Sequence, residues 1–261
     1  IRSGSKNVKI LAGDGDDHID GDFRYLDAGS GDDFINVSNY GYKVDYFDGG
    51  TGTDELLIIP NGSNVGEGSD LWSSAIKNVE KITLRDSYSV NLGDQAAGDG
   101  QSIEIDASAR ENSSDGTFSV SSTFEGDITF KGTTGVDNVT LGKGDDVVTL
   151  SSGDDIVYSG LGSNTIDGGA GDDTVIYSGT KDSYTIQYQI NNLSETLSVA
   201  KDSNQDLLTS IKTISFSDQD VQIEATGRTI KDTGQGVFAP ISGDPIVGGT
   251  LTAGSISGDP D

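Results

Sequence analysis

The chain has no cysteine and no methionine. Without cysteine a disulfide scaffold is excluded, so a weak core needs another staple, and a bound metal ion is the obvious one. Basic residues are few: 16 lysines and arginines stand against 43 aspartates and glutamates in 261 residues, a formal net charge of -27. That balance excludes nucleic acid as a natural partner, because phosphate binding needs clustered cations. It also argues against anionic membrane surfaces. Apolar side chains make up only 33% of the chain, too few for one large core. No run of about 18 apolar residues is present, so membrane insertion is not expected. The start, Ile1-Arg2-Ser3-Gly4, reads neither as a signal peptide nor as an initiator, so the chain is expected to be part of something longer. So acidic a chain is either disordered or folded around bound cations.

Glycine is abundant, with 37 residues, and it is placed regularly. From Gly132 to Ile176 the chain divides into contiguous nine-residue units: GTTGVDNVT, LGKGDDVVT, LSSGDDIVY, SGLGSNTID and GGAGDDTVI. The fourth position is Gly135, Gly144, Gly153, Gly162 and Gly171. The sixth is Asp137, Asp146, Asp155, Asn164 and Asp173, and the eighth is Val139, Val148, Val157, Ile166 and Val175. The N-terminal part carries the unit in looser form, as AGDGDDHID from Ala12, AGSGDDFIN from Ala28 and GGTGTDELL from Gly49, with Asp17, Asp33 and Asp54 at the sixth position. These start 16 and 21 residues apart, close to two units each. The spacing predicts that every second half-turn, Gly21 to Asp27 and Val37 to Asp48, has lost its motif.

A coarse reading places the rest. Ile76-Lys77-Asn78-Val79-Glu80-Lys81-Ile82 follows the first block and Ile211-Lys212-Thr213-Ile214-Ser215-Phe216 the second, a shared frame that suggests two copies of one module. Trp72, Ala75, Ile76 and Val79 have helical spacing, which predicts a short helical turn. Alternation at Tyr184, Ile186, Tyr188 and Ile190 predicts a strand with one buried face. Ile103 and Ile105, Phe118 and Val120, and Ile128 and Phe130 predict short strands between Ser102 and Lys131 that feed into the second block. From Thr226 the composition reads as linker, including Asp244-Pro245 and Asp259-Pro260, and Gly243 to Ala253 as the opening strand of another domain. The division is then 1–100 for a first repeat module with its cap, 101–226 for a strand-rich bridge and second module with its cap, and 227–261 for the linker and the start of a following β domain.

The physical case for a metal comes from the register. Position eight is the reliably apolar place in each unit, so a three-residue strand can bury it while six residues turn the chain. Glycine tolerates the positive-φ conformations of such a turn and exposes backbone carbonyls. Two units then make one coil of a right-handed solenoid, with strands stacked in parallel about 4.8 Å apart. Asp137, Asp155 and Asp173 fall in one column and Asp146 and Asn164 in the other. Stacked carboxylates repel, so a cation is expected between coils. Oxygen-only ligands select Ca²⁺ over Zn²⁺, and flexible loops select it over Mg²⁺.

The units resemble GGxGxDxUx, the nonapeptide of the RTX (repeats-in-toxin, haemolysin-type calcium-binding repeat) family. Asp206-Leu207-Leu208-Thr209-Ser210-Ile211 with Phe216-Ser217-Asp218 resembles the segment that commonly follows such repeats. The resemblance implies an all-β fold: a parallel β-roll or β-solenoid with several Ca²⁺ ions in the turns, here as two tandem modules with capping β segments. It implies ligation by Asp17, Asp33, Asp54, Asp137, Asp146, Asp155 and Asp173. Asn164 departs from the motif and offers one neutral oxygen, for a weaker site. Carbonyls of the turns join them, at Gly13, Gly15, Gly29, Gly31, Gly50, Gly52, Gly135, Gly142, Gly144, Gly153, Gly160, Gly162, Gly169 and Gly171. It also implies type I secretion, with folding outside the cell.

No catalytic site is expected. His18 is the only histidine and falls at an outward position, so no Ser-His-acid constellation can be proposed beyond chance. Paired carboxylates such as Asp145 and Asp146 recur in five of the eight units and read as ligands or solvated charge. Tyr40, Tyr42 and Tyr46 read as cover for the metal-free side of the coil, with a sugar-binding patch as the alternative. The function expected is a structural segment of a secreted surface-layer protein or adhesin. Its partners are calcium and either further copies of the chain or a cell-surface glycan. The alternatives are a C-terminal folding and secretion domain of an extracellular protease, lipase or epimerase, or a glycan-binding module.

Overall fold

The structure, a computed structural model, describes residues 2–3, 8–21, 23–37, 45–58, 76–85, 89–93, 96, 101–108, 116–120, 123–191, 194–223, 230–232 and 250–251. Among them are strands and one 3₁₀ turn, Lys181–Ser183. The repeat strands are as short as the units demand: Val147–Thr149, Ile156–Tyr158, Thr165–Asp167 and Thr174–Ile176. Each buries its eighth-position side chain and turns its neighbours outward, the alternation of a strand with one wet face.

Coils stack in parallel. Phe130 pairs with Val148 and Val148 with Ile166 on one face, and Val139 with Val157 and Val157 with Val175 on the other. The first face belongs to a 13-stranded sheet that runs through both repeat blocks. Its inward column is Ile19, Ile35, Leu56, Ile82, Ile105, Phe130, Val148, Ile166 and Leu208, each paired with the next. All are at most 2% exposed, and each contributes about 1.5–3 kcal/mol by burial. The strands of the bridge, Ile103–Asp106, Gly116–Val120 and Ile128–Lys131, are coils of this same stack.

The opposite face is an 8-stranded sheet over the second block and a 4-stranded sheet over the first. In the 4-stranded sheet the half-turns that lost the motif still form strands: Tyr25–Ser30 pairs with Lys9–Asp14, and Tyr46–Asp48 with Tyr25–Ser30. Its outer surface carries a ladder in which the Tyr25 and Tyr46 rings stack at 4.4 Å and Lys9 Nζ lies 4.4 Å over Tyr25. Lys77 Nζ lies 5.5 Å over Tyr46, so these aromatic faces are turned on one another and on ammonium groups. Tyr40 and Tyr42 lie outside the described residues.

The helical turn expected at Trp72 to Val79 is not formed where the chain is described. Ile76–Lys77 is a strand stacked on Phe47 and Asp48, and Asn78 has φ +50. Apolar spacing there reflects burial of Ile76 and Val79 on either side of a bend. Trp72 and Ala75 lie outside the described residues. Thr185–Asn191 is the strand expected from alternation; it forms an antiparallel hairpin with Ser194–Lys201, which pairs with Asn204–Thr209 at the end of the stack. Beyond it, Ile230–Asp232 pairs with Asp220–Ile223 and Thr250–Leu251 with the Tyr188 strand.

Candidate metal centres

Coils approach closely because the turn residues have no side chain. A Cβ on Gly50 would lie 1.9 Å from the Gly29 carbonyl oxygen, at φ +103. The same stacking joins Gly13 to Gly29, Gly15 to Gly31 to Gly52, Gly135 to Gly153 to Gly171, Gly144 to Gly162, and Gly142 to Gly160. Gly169 lies against the Ser151 carbonyl. These contacts hold the sixth-position residues of successive coils in register.

The sixth-position side chains point inward. Asp33 and Asp54 are 2% and 0% exposed, and Asp137, Asp146, Asp155, Asn164 and Asp173 at most 2%. Asp33, Asp54, Asp146, Asp155, Asn164 and Asp173 each reach back one coil with a single oxygen. The Asp137 N–H donates to Asp155 Oδ1 at 2.7 Å and the Asp155 N–H to Asp173 Oδ1 at 3.0 Å. In the other column the N–H groups of Ile128, Asp146 and Asn164 donate to Asp146, Asn164 and Asp206. In the first block Asp17 N–H donates to Asp33, Asp33 to Asp54, and Asp54 to Glu80 Oε2. The expected columns are therefore formed, and backbone N–H groups stand between the stacked carboxylates.

The second oxygen is different. Apart from Asn36 Oδ1, the buried side-chain polar atoms with no hydrogen-bond partner among the described residues are Oδ2 of Asp33, Asp54, Asp146, Asp155 and Asp173. A buried, unpaired carboxylate oxygen is costly unless a proton or a cation meets it. Burial, the dominant cause, pushes Asp54 and Asp155 up to about 6 and Asp146 up to about 7, against partial compensation by the donated N–H. Burial raises Asp33 and Asp173 as well, the latter opposed by the Lys212 charge. No three carboxylate or imidazole side chains converge on one point among the described residues. What each of these turns offers a cation is one unpartnered carboxylate oxygen, and backbone carbonyls of the turn would complete an all-oxygen set of the kind that fits Ca²⁺. His18 sits on the outer face beside Phe34, with its side chain 64% exposed.

Three predicted positions are not brought into this group of five. Asp17, in the first coil, is only half-buried. Both oxygens of Asp137 receive bonds from Thr133, and Asn164 carries an amide where the others carry Oδ2. The sequence pattern also missed Glu80 and Asp206, which close two columns. Each stands two residues before a buried apolar side chain, Ile82 and Leu208, as sixth-position residues do. Asp206 is satisfied by the Asn164 N–H and by the hydroxyl of Tyr177, a phenol that burial holds protonated. The column of Asp173 ends on Lys212, whose Nζ bonds the Gly171 carbonyl and the Asp172 carboxylate. A further exposed row, formed by the fifth-position aspartates, runs in the opposite sense: Asp16 accepts from Asp32 N–H, Asp127 from Asp145, and Asp154 from Asp172. The doubled Asp-Asp of the units was its signal.

These shifts make stability depend on pH. Asp146 rises from an ordinary 3.8 to about 7, so its favourable contribution to the metal-free fold is full below about pH 4 and is lost as pH rises through about 7. Metal-stripped chain is expected to show more β structure at pH 4.5 than at pH 7.5 by far-UV circular dichroism. With calcium present the sign reverses, since protons and calcium compete for the same oxygens. Equal or weaker β signal at the lower pH, without metal, would count against protonation of these buried groups.

A family model described as the RTX calcium-binding nonapeptide repeat (4 copies) matches residues 1–23, 131–166 and 151–182. No curated protein sequence and no solved structure matches the chain. The turns of Asp33 and Asp54 lie outside the matched stretches, yet they stack on that of Asp17 in the same fashion.

Proposed function

Because the chain carries RTX calcium-binding nonapeptide repeats, we propose that it is a calcium-binding structural segment of a secreted surface-layer protein or adhesin, folding on calcium outside the cell. The observation that carries this reading is the set of five buried, unpartnered Oδ2 atoms repeating along the stack. Asp33, Asp54, Asp146, Asp155 and Asp173 would hold the ions together with carbonyls of the glycine turns. Bound calcium supplies the positive charge that lets these carboxylates stay ionised while buried. Repeats of this kind are typical of secreted proteins, and no helix among the described residues is long and apolar enough to cross a membrane.

The role is structural rather than catalytic in this reading. The recurring carboxylates are placed in ladders and turns, and His18, the one histidine of the sequence, lies beside Asp20 and Phe34 on the outer face. Further copies of the chain or a surface glycan are the partners proposed for its outer face. The division at residues 100 and 226 separates the loosely repeated coils, the strict ones, and the C-terminal segment.

The test is where the full-length protein resides. Cells grown in calcium are expected to retain it on their surface and to release it into a chelator wash. Recovery of it free in the medium, on one polypeptide with a hydrolase or epimerase activity, would overturn the structural reading in favour of an enzyme appendage.

A further inference from the structure

Two turns of the second block already contain, in their own side chains, what a cation would supply elsewhere. Asn164 keeps its place in the ladder by accepting from the Asp146 N–H with Oδ1 at 2.9 Å. Its Nδ2 donates to the Ser159 carbonyl at 2.9 Å and the Leu161 carbonyl at 3.3 Å. These are the first and third residues of its own unit. In the aspartate units the atom in that place is Oδ2, which cannot donate, and in Asp146, Asp155 and Asp173 it is the atom left without a partner. An amide NH₂ and a carboxylate oxygen are nearly the same size but opposite in hydrogen-bonding sense. Facing turn carbonyls, the first is satisfied and the second needs a positive charge in between.

Thr133 closes another turn from the opposite side. Most units carry glycine at their second position; the unit of Asp137 carries Thr133, itself 2% exposed. Its N–H donates to Asp137 Oδ2 at 2.7 Å, and its hydroxyl lies 3.1 Å from that oxygen and 3.0 Å from Oδ1. Asp137 is accordingly absent from the unpartnered set.

We infer that Asn164 and Thr133 are built-in substitutes for calcium, so that in the second block the ion binds only at the turns of Asp146, Asp155 and Asp173. Each complete coil of two units then carries one metal-bound turn and one turn closed without metal. The closed turns need no ion of their own once calcium at the other turns has stacked the coils. This deepens the calcium-binding reading and rests on it.

The test counts calcium ions per chain by native mass spectrometry of the whole 261-residue chain at saturating calcium, with circular dichroism as the folding control. Asn164→Asp is expected to gain one ion relative to the parent, and its melting temperature to become more dependent on calcium. Thr133→Gly is expected to gain one ion independently. The reciprocal change, Asp155→Asn, is expected to lose one ion and keep the β signal, because the new amide bonds the turn carbonyls as Asn164 does. An unchanged count in both Asn164→Asp and Thr133→Gly overturns the inference, as does the loss of an ion in Asn164→Ala, which would make Asn164 itself a ligand. A parent chain that binds no calcium defeats the underlying reading instead, so the two failures are distinct.

Discussion

Gly162→Val is expected to destroy the cooperative fold of the second block, although Gly162 belongs to a turn closed by Asn164 and not to one of the five unpartnered carboxylate turns. Gly162 has φ +90, and a Cβ there would meet the Gly144 carbonyl oxygen at 2.0 Å and its carbon at 2.7 Å. The obstructing atoms are backbone of the adjacent coil, so no rotamer change relieves the contact. Left-handed backbone costs a β-branched residue about 1–2 kcal/mol, and forcing neighbours apart in a packed stack costs about 1–3 kcal/mol more. Coils touch only their neighbours, so a break at one interface uncouples everything beyond it. A loss of at least about 3 kcal/mol, read from denaturant unfolding at saturating calcium, is the expected result. Gly179→Ala is the matched control. Its φ is +102, but the nearest atom to a Cβ is Lys201 Nζ at 3.7 Å, so a cost of about 1 kcal/mol is expected from backbone strain alone. Equal losses in the two variants would show that coil contact is not what the glycines serve.

Where the nine-residue register is unbroken, the fold could be read from the chain. Gly at the fourth place, Asp at the sixth and an aliphatic at the eighth, from Gly135 to Val175, define the coil length, the inward column and the alignment of Asp137 with Asp155 and Asp173. The looser first block was readable for the same reason: the 16- and 21-residue intervals still return Asp33 and Asp54 to one column. What was not readable depends on contacts that register cannot encode. Asp206 lies 42 residues from Asn164 and joins its column because the hairpin of Tyr188 and Leu197 is an insertion in the chain that leaves Leu207 paired directly with Thr165. Glu80 lies 26 residues from Asp54 and takes the sixth place through pairing of Glu55 with Lys81. Repulsion between stacked carboxylates was the argument from sequence. The structure relocates it, since an N–H of the adjacent coil stands against Oδ1 of Asp33, Asp54, Asp146, Asp155 and Asp173 and the uncompensated atom is Oδ2. The same geometry sets Asn164 apart from its neighbours: its amide is satisfied where their Oδ2 atoms are not.

The second large effect is that of calcium itself. At neutral pH the chain carries a formal charge of -27, and five of its carboxylates are buried with an oxygen unmatched. Short strands bury one column of side chains per face, which is modest apolar stabilisation against the ordering of so many turn residues. Cations met by all-oxygen turns supply the missing term, and they bind only when adjacent coils are stacked, so binding energy is folding energy. Magnesium, which demands octahedral geometry and gives up water reluctantly, is a poor substitute.

The most direct measurement is a calcium titration of metal-stripped chain at pH 7.5, monitored by far-UV circular dichroism and small-angle scattering, with magnesium in parallel. The account predicts an expanded chain without metal, with a radius of gyration approaching roughly 56 Å. It predicts conversion to a compact β-structured rod at calcium levels of about 10⁻⁴–10⁻³ M, and no conversion with magnesium. A chain that is already fully β-structured and compact in excess chelator at that pH would contradict it.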